Sequence, residues 1–345
     1  MKKIIYVLAF LFIVHCTLHI EDCAGQWIQQ SVPVTSGYFL DMKFINHNTG
    51  FISNSTGKLL KTTNSGYDWI LLKESLMLSL STVDSMYIYA AGMTTGYGRL
   101  YKSTNCGINW DSLLISGSYT YHYIHFFNRD TGLISGSNST SNLIWRTIDG
   151  GQSVQLVQMI DVSSVGKFFF LKEKVNGEYY GWMYYPTNTM IYRTTNSGLN
   201  WSQLPSYSEY INSVFFVNKD TGWATPYYER TYVYFTSNGG LNWVTKTMAY
   251  NSQNYDICFI NPNTGWISFL SYQKIYKTTD RGVNWGTQLV SGNSSGLLSF
   301  TDSLTGWAQT SLNTISHTTD GGGPITSAIP NNNFIASDYK LYQNY

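Results

Sequence analysis

The sequence predicts an all-β protein: a seven-bladed β-propeller of four-stranded antiparallel blades, with the ring closed by the N-terminal strand. One turn motif recurs seven times, a second motif recurs in step with it, and a segment near the N-terminus resembles a strand that the last repeat lacks. Self-similarity at a fixed spacing of this length is typical of propellers and other repeat folds.

The first motif reads Thr or Ser, any residue, Asn or Asp, any residue, Gly, and usually continues to Asn-Trp or Asp-Trp. The Asn or Asp side chain can accept hydrogen bonds from backbone N–H groups just downstream, and the glycine can take the positive φ that a tight turn needs. The copies lie 40 to 47 residues apart, which suits four short strands and their turns. We expect structural turns centred on Asn64, Asn105, Asp149, Asn196, Asn238, Asp280 and Asp320.

The second motif lies 13 to 17 residues upstream and reads Phe, any residue, Asn or Asp, two residues, Thr-Gly, then usually Trp. It is degraded at Gly181-Trp182, and in the second repeat only Tyr87 to Gly92 remains. Each blade is expected to start with its innermost strand, which ends at this motif. The expected innermost strands are Tyr38–Phe44, Thr82–Tyr87, Tyr121–Phe127, Lys167–Leu171, Ile211–Val217, Tyr255–Ile260 and Gly296–Phe300.

The seventh copy of the first motif has no Trp and is followed by Gly323-Pro324, so its last strand is missing. The segment Gln26–Gln30 resembles Asn200–Leu204, where a Trp opens an outer strand. We therefore expect residues 26–31 to form the outermost strand of the seventh blade. This joins the two chain ends and leaves no open sheet edge in the ring.

Composition and the N-terminus limit the classes of protein. Only 12% of the 345 residues are charged and the net charge is +1, so the basic surface of a nucleic-acid binder is absent. Lys2 and Lys3 precede a short apolar run, which predicts a signal peptide over residues 1–25 and a secreted or surface-exposed protein. A lipoprotein signal at Cys16 or Cys23 is the alternative, but neither cysteine has the small and aliphatic residues before it.

After cleavage we expect no membrane span and a monomer. Two cysteines remain, Cys106 and Cys258. They fall in repeats that lie far apart in the ring, so we expect them to be free thiols.

Both motifs resemble those of the Asp-box (BNR) propellers, a superfamily that includes sialidases, sortilin-type receptors, exo-acting xyloglucanases and the photosystem II assembly factor family. The pairing of Thr-Gly-Trp with Thr194–Trp201 is most similar to the last group and its bacterial relatives. The resemblance covers nearly all of residues 26–323 and implies the propeller fold. It leaves the activity open, because one propeller scaffold hosts many functions.

The C-terminal run Tyr339–Tyr345 resembles the opening of a type A sorting domain of type IX secretion. The resemblance implies that residues 324–345 are a linker and the truncated start of such a domain. It also implies export across the outer membrane of a Bacteroidetes-like bacterium, with the type IX secretion machinery as a partner.

No complete catalytic set is evident. Asp41 and Asp256 occupy the same place on two expected innermost strands, so they are the candidates for a glycosidase carboxylate pair. The alternative is that each Asp caps a strand locally. His122 and His125 lack a third ligand at a suitable spacing, so we expect no metal site, and no cofactor motif is present.

The sialidase function is disfavoured, because it needs an arginine cluster for a substrate carboxylate. Arg146 and Arg193 precede the first motif at a place where Lys also occurs, which is a feature of the repeat. Two functions remain. One is a non-enzymatic binding module for a protein or a polysaccharide, and the other is an exo-acting glycoside hydrolase.

Overall fold

The computed structural model describes residues 27–323, except 95–96, 114–118, 139, 161–164, 187, 206–208, 253, 270–273 and 293–295. These residues form seven four-stranded antiparallel sheets, as the sequence predicts. The expected signal peptide (1–25) and sorting segment (324–345) lie outside them. No helix that is long and apolar enough to cross a membrane occurs within this part of the chain.

The described residues contain twenty-eight strands. The closing strand is β1 (Ile28–Ser31). Blade 1 has β2 (Phe39–Phe44), β3 (Gly50–Asn54), β4 (Lys58–Thr62) and β5 (Ile70–Glu74). Blade 2 has β6 (Leu76–Thr82), β7 (Ile88–Thr94), β8 (Tyr97–Ser103) and β9 (Asp111–Leu113). Blade 3 has β10 (Thr120–Phe126), β11 (Gly132–Ser137), β12 (Asn142–Thr147) and β13 (Gln155–Ile160). Blade 4 has β14 (Lys167–Phe170), β15 (Gly181–Tyr184), β16 (Ile191–Thr194) and β17 (Ser202–Gln203).

The remaining blades repeat this order. Blade 5 has β18 (Ile211–Phe216), β19 (Gly222–Pro226), β20 (Arg230–Thr236) and β21 (Val244–Ser252). Blade 6 has β22 (Asn254–Phe259), β23 (Gly265–Phe269), β24 (Lys274–Thr278) and β25 (Gly286–Leu289). Blade 7 has β26 (Leu298–Phe300), β27 (Gly306–Gln309) and β28 (Thr314–Thr318), completed by β1. Innermost strands contact their neighbours in order around the ring, and β26 contacts β2, so the ring is closed around a central channel.

In blades 1 to 6 the turn of the first motif has the same two hydrogen bonds, and blade 7 keeps the bond to its Thr. In blade 4, Thr194 Oγ1 accepts a hydrogen bond from the N–H of Gly198 at 3.0 Å. Asn196 Oδ1 accepts one from the N–H of Asn200 at 3.0 Å, and Gly198 has a φ of 80°. Both side chains therefore hold the turn through backbone donors that have no strand partner.

The two motifs share one period because their turns meet on one face of the propeller. In each blade, the residue directly before the motif glycine donates its N–H to a backbone carbonyl of the second motif. The seven links are Ser65 to Asn48, Cys106 to Met86, Gly150 to Asp130, Ser197 to Tyr179, Gly239 to Asp220, Arg281 to Asn263 and Gly321 to Leu304. The loops that join one blade to the next lie at the opposite face.

Some of these turns carry a titratable carboxylate, which gives an acid-stability prediction. Hydrogen bonds from Ser153 lower the pKa of Asp149 to about 2. The pKa of Asp280 is also lowered, since hydrogen bonds from Asn284 outweigh the effect of burial, which acts to raise it. A carboxyl group whose folded-state pKa is depressed stabilises the fold above its usual pKa of about 4, and this contribution is lost as the pH falls.

We expect the double substitution Asp149→Asn and Asp280→Asn to leave the Tm at neutral pH nearly unchanged, because Asn already occupies this position in other blades. Below about pH 4, the Tm of the double variant should fall less steeply than that of the wild type. Thermal unfolding followed across this pH range measures both quantities. Parallel pH profiles for the two proteins would contradict the prediction.

Packing between blades depends on a Phe, a Gly and a Trp from the second motif. The Phe216 ring stacks on the Trp182 ring of the preceding blade, with centroids 3.5 Å apart. Gly222 faces Phe216 across the sheet, and a Cβ on this glycine would lie 2.3 Å from the Phe216 ring. The indole Nε1 of Trp182 donates to the carbonyl of Gly239, in the first-motif turn of the next blade. One aromatic pair thus fixes both the spacing of the blades and the turn between their outer strands.

The N-terminal strand closes the ring as predicted. Strand β1 pairs antiparallel with β28, with Ile28 opposite His317. Trp27 lies edge-on to Phe300, with ring centroids 5.9 Å apart. The Trp of the first motif makes the same contact elsewhere, for example Trp285 with Phe259 at 6.1 Å. Trp27 therefore occupies the place of the Trp that the seventh motif lacks.

The expected innermost strand of blade 2 was wrong. We predicted Thr82–Tyr87, whereas the strand is Leu76–Thr82 and the following residues form the turn. Asp84 Oδ1 accepts hydrogen bonds from the N–H groups of Met86 and Tyr87, as the Asn of the second motif does in other blades. The motif is present here, but Thr82 replaces its Phe and Ile88 replaces its Gly.

Blade 4 has an additional hairpin between β14 and β15. Asn176 and Gly177 both have positive φ, and Val175 pairs with Glu178 across the turn. Among the described residues, Cys106 and Cys258 are free thiols, as expected.

Candidate functional site

The innermost strands bring a set of polar side chains to the central channel. Strand register identifies one equivalent position on each innermost strand, three residues before the conserved Phe or its replacement. In chain order this position holds Asp41, Ser79, Tyr123, Lys167, Ser213, Asp256 and Leu297. In five blades a β-bulge precedes it, which locally re-aims the strand. Both sequence-predicted acids therefore lie at one level of the channel wall.

Asp41 links two blades through its carboxylate. Its Oδ1 accepts a hydrogen bond from the N–H of Met42 at 2.9 Å. Its Oδ2 accepts one from the N–H of Leu80, on the innermost strand of blade 2, at 2.8 Å. The ammonium of Lys43 lies 3.6 Å from Oδ1. Both oxygens are thus held by fixed backbone donors.

Asp256 has the same arrangement in blade 6. Its Oδ1 accepts hydrogen bonds from Ser213 Oγ at 3.0 Å and from the N–H of Ile257 at 2.9 Å. Its Oδ2 accepts one from the N–H of Leu298, in blade 7, at 3.0 Å. Burial raises the pKa of Asp256, whereas these donors act to lower it. Each acid therefore bridges its own strand to the next blade.

Two lysines face the same space. The neighbouring Asp41 raises the pKa of Lys43, and Asp256, two blades away around the ring, acts in the same direction. The Lys43 side chain is 48% exposed although it lies on an innermost strand, so solvent reaches it through the channel. The Lys167 ammonium lies over the Tyr123 ring, 5.7 Å from its centroid.

Two further ionisable groups near the channel, His125 and Cys258, are held in their neutral forms. Burial and the Lys43 charge lower the pKa of His125 to about 3, and its ring stacks on Phe170. Burial raises the pKa of the Cys258 thiol to about 12. Neither group can act as a base or a nucleophile near neutral pH. Among the described residues, neither His122 nor His125 belongs to a cluster of side chains that could hold a metal ion.

Tyrosines surround the channel mouth at the face opposite the turn motifs. Tyr38 is 57% exposed there. Burial raises the pKa of Tyr255, and the charge of Lys167 acts to lower it. Burial also raises the pKa of Tyr184 to about 12, again opposed by Lys167. Tyr123, Tyr184 and Tyr255, from blades 3, 4 and 6, therefore lie around Lys167.

Further tyrosines continue across this face. In blade 5, the rings of Tyr210 and Tyr228 have centroids 5.8 Å apart, and those of Tyr227 and Tyr228 are 5.4 Å apart. Tyr228 is 49% exposed and Tyr97, in blade 2, is 52% exposed. Sequence reasoning did not place these residues together, because they come from loops of different blades.

The basic residues before the first motif have a structural role, as the repeat suggested. Lys277 Nζ donates to the carbonyl of Gly321 at 3.0 Å, and Lys61 Nζ donates to that of Cys106 at 3.1 Å. Each cation thereby binds the motif turn of the following blade. These residues lie apart around the ring and do not form a carboxylate-binding cluster.

No protein-family model matches the chain, and no curated protein does. Solved structures match its fold. The structure of YCF48 bound to D1 peptide has a TM-score of 0.70 at 15% identity, over 85% of this chain and 96% of that chain. A streptogramin B lyase has a TM-score of 0.69 at 12% identity, over 86% of this chain and 98% of that chain.

The GH74 xyloglucanase from Xanthomonas campestris has a TM-score of 0.67 at 11% identity, over 86% of this chain and 54% of that chain. The chain thus spans about half the length of this enzyme. At these identities the similarity shows the fold alone. The protein is a seven-bladed β-propeller, a class whose similar structures include a peptide-bound protein, a hydrolase and a lyase.

Proposed function

We propose that this protein is a secreted or cell-surface binding module that recognises a protein or a glycan through its tyrosine-rich face. The exposed tyrosines around the channel mouth and on blade 5 are the observation that carries the proposal. Tyrosine provides a large, rigid contact area with a polar end, and it is enriched in binding sites. The structure of YCF48 with a D1 peptide supports the view that a propeller of this class can bind a peptide.

The alternative is a glycoside hydrolase that uses Asp41 and Asp256. The GH74 similarity and the position of both acids at one level of the channel favour it. Against it, every oxygen of both carboxylates already accepts a hydrogen bond from the protein frame. A general acid or nucleophile must instead present an oxygen to the substrate. The binding function therefore has the stronger support.

Arrays of polysaccharides and peptides, read for binding and for sugar release, test the two functions. We expect binding without release of reducing sugar. Because exposed aromatic contacts contribute much of such binding, Tyr38→Ala and Tyr228→Ala should each weaken it about tenfold. Tyr67→Ala is the matched control, since Tyr67 is 59% exposed but lies on the opposite face.

Turnover that disappears in Asp41→Asn or Asp256→Asn would overturn the binding function in favour of the hydrolase. Equal weakening by Tyr67→Ala would show that the tyrosine-rich face is not the binding surface.

We further propose that the chain belongs with the Asp-box propellers, because both turn motifs are regular in sequence and in hydrogen bonding. Export by a signal peptide over residues 1–25, and sorting through residues 324–345 by type IX secretion, remain proposals based on sequence. Surface labelling of cells that produce the full-length gene product tests them. A protein found only inside the cells would contradict both.

A further inference from the structure

Two acids, Asp41 and Asp256, and two lysines, Lys43 and Lys167, differ in what they can offer to a ligand. The oxygens of Asp41 and Asp256 are engaged by backbone and hydroxyl donors of adjacent strands. The Lys43 ammonium lies 3.6 Å from Asp41 Oδ1, which is beyond normal hydrogen-bond distance. The Lys167 ammonium lies over the Tyr123 ring, and among the described residues no acid lies within 4 Å of it. Each ammonium carries three donors on a flexible stem. Both lysines can therefore donate hydrogen bonds to a ligand that carries acceptors.

The two lysines also lie at different depths. Lys167 is at the level of Asp256, whereas Lys43 is two residues further along its innermost strand. Two strand residues correspond to roughly 7 Å. The lysines come from blades 1 and 4, which lie on opposite sides of the ring. A ligand that uses both must be elongated along the channel axis and must carry acceptors at two depths.

We propose that the channel binds an acidic, extended protein segment, which enters between Tyr38 and Tyr255 and places carboxylates on Lys167 and Lys43. This inference deepens the proposed binding function and rests on it. An extended chain rises about 3.3 Å per residue, so a run of acidic side chains supplies carboxylates at both depths. The aromatic mouth packs against the stems of the same side chains.

Fluorescence anisotropy with a labelled hexaglutamate peptide tests the proposal, and a hexaglutamine peptide is the uncharged reference. We expect hexaglutamate to bind more tightly and to lose affinity as salt is added, because the contacts are ionic. Lys43→Met and Lys167→Met should each weaken binding about fivefold or more. Lys43→Arg should retain most of the affinity, since it keeps the charge. Lys73→Met, on the outermost strand of blade 1, is the matched control and should have no effect.

Melting temperatures of all variants show whether a loss of binding follows from unfolding, and Lys43→Arg gives a readout if Lys43→Met is unstable. Equal affinity for both peptides, or equal weakening by Lys73→Met, would overturn the proposal. Preference for oligogalacturonate over hexaglutamate would overturn it as well, in favour of an acidic glycan. Binding of other array ligands through Tyr228 with no hexaglutamate binding would refute the channel site and leave the proposed function intact.

Discussion

Deleting residues 26–31 is expected to destabilise the protein more than any single substitution outside the paired strands β1 and β28. The deletion removes β1 and leaves β28 as an unpaired edge, so blade 7 keeps only three strands. It also removes Trp27, which is only 6% exposed and packs against Phe300. An exposed strand edge promotes aggregation, so we expect loss of soluble protein in addition to a lower Tm.

Trp27→Ala isolates the contribution of the indole. Truncating a buried Trp costs about 3–5 kcal/mol, which should lower the Tm of a chain this size by about 10 °C. Ile28→Ala is the control on the same strand, because the Ile28 side chain is 49% exposed and should change the Tm little. Differential scanning fluorimetry of the three proteins measures both effects. An unchanged Tm for Trp27→Ala would refute the view that this residue completes the seventh blade.

The closure was predictable because each chain end carries a recognisable part of the repeat, although the paired strands are far apart in the sequence. In the sequence, no Trp follows the seventh motif, and an additional Trp follows Gln26. The turn hydrogen bonds were predictable because donor and acceptor lie within five residues of each other in each motif.

The site was predictable only in part. Register from the Thr-Gly motif placed Asp41 and Asp256 correctly at one level of the innermost strands. It did not show that their oxygens bind N–H groups of the next blade, because this contact joins residues about 40 positions apart, as in Asp41 with Leu80. The convergence of Lys43 and Lys167 has the same origin. Contacts across the channel depend on which side chains reach over from other blades, and the repeat pattern does not specify this.

Blade 2 shows how a local pattern can mislead when two residues change together. In six blades a Phe lies over a Gly of the neighbouring strand, as Phe259 does over Gly265. In blade 2 both members differ, and Thr82 lies opposite Ile88. Because blade 2 lacks both the Phe and the Gly, its motif was placed too far toward the C-terminus. The expected innermost strand was displaced with it. The two positions thus share one volume. A Phe ring faces a residue without a Cβ, or a small side chain faces a branched one.

Exchanging this pair between blades tests that idea. In blade 6, Gly265→Ile alone should cost about 3 kcal/mol or more, because overpacking forces neighbours to shift. A Cβ at position 265 would lie 2.5 Å from the Phe259 ring, and this ring cannot retreat because it stacks on Trp223 at 3.6 Å. Phe259→Thr alone should cost a similar amount, about 3–4 kcal/mol, since it leaves a cavity.

The double variant Phe259→Thr with Gly265→Ile should be more stable than the sum of the single losses predicts, by about 1–3 kcal/mol, because each change relieves the strain or the cavity caused by the other. Urea unfolding of the wild type, both single variants and the double variant gives this coupling free energy. The control combines Phe259→Thr with Gly306→Ile, whose partner is Phe300 in another blade, and should be additive. Additive losses in the facing pair would show that Thr82 and Ile88 are independent substitutions.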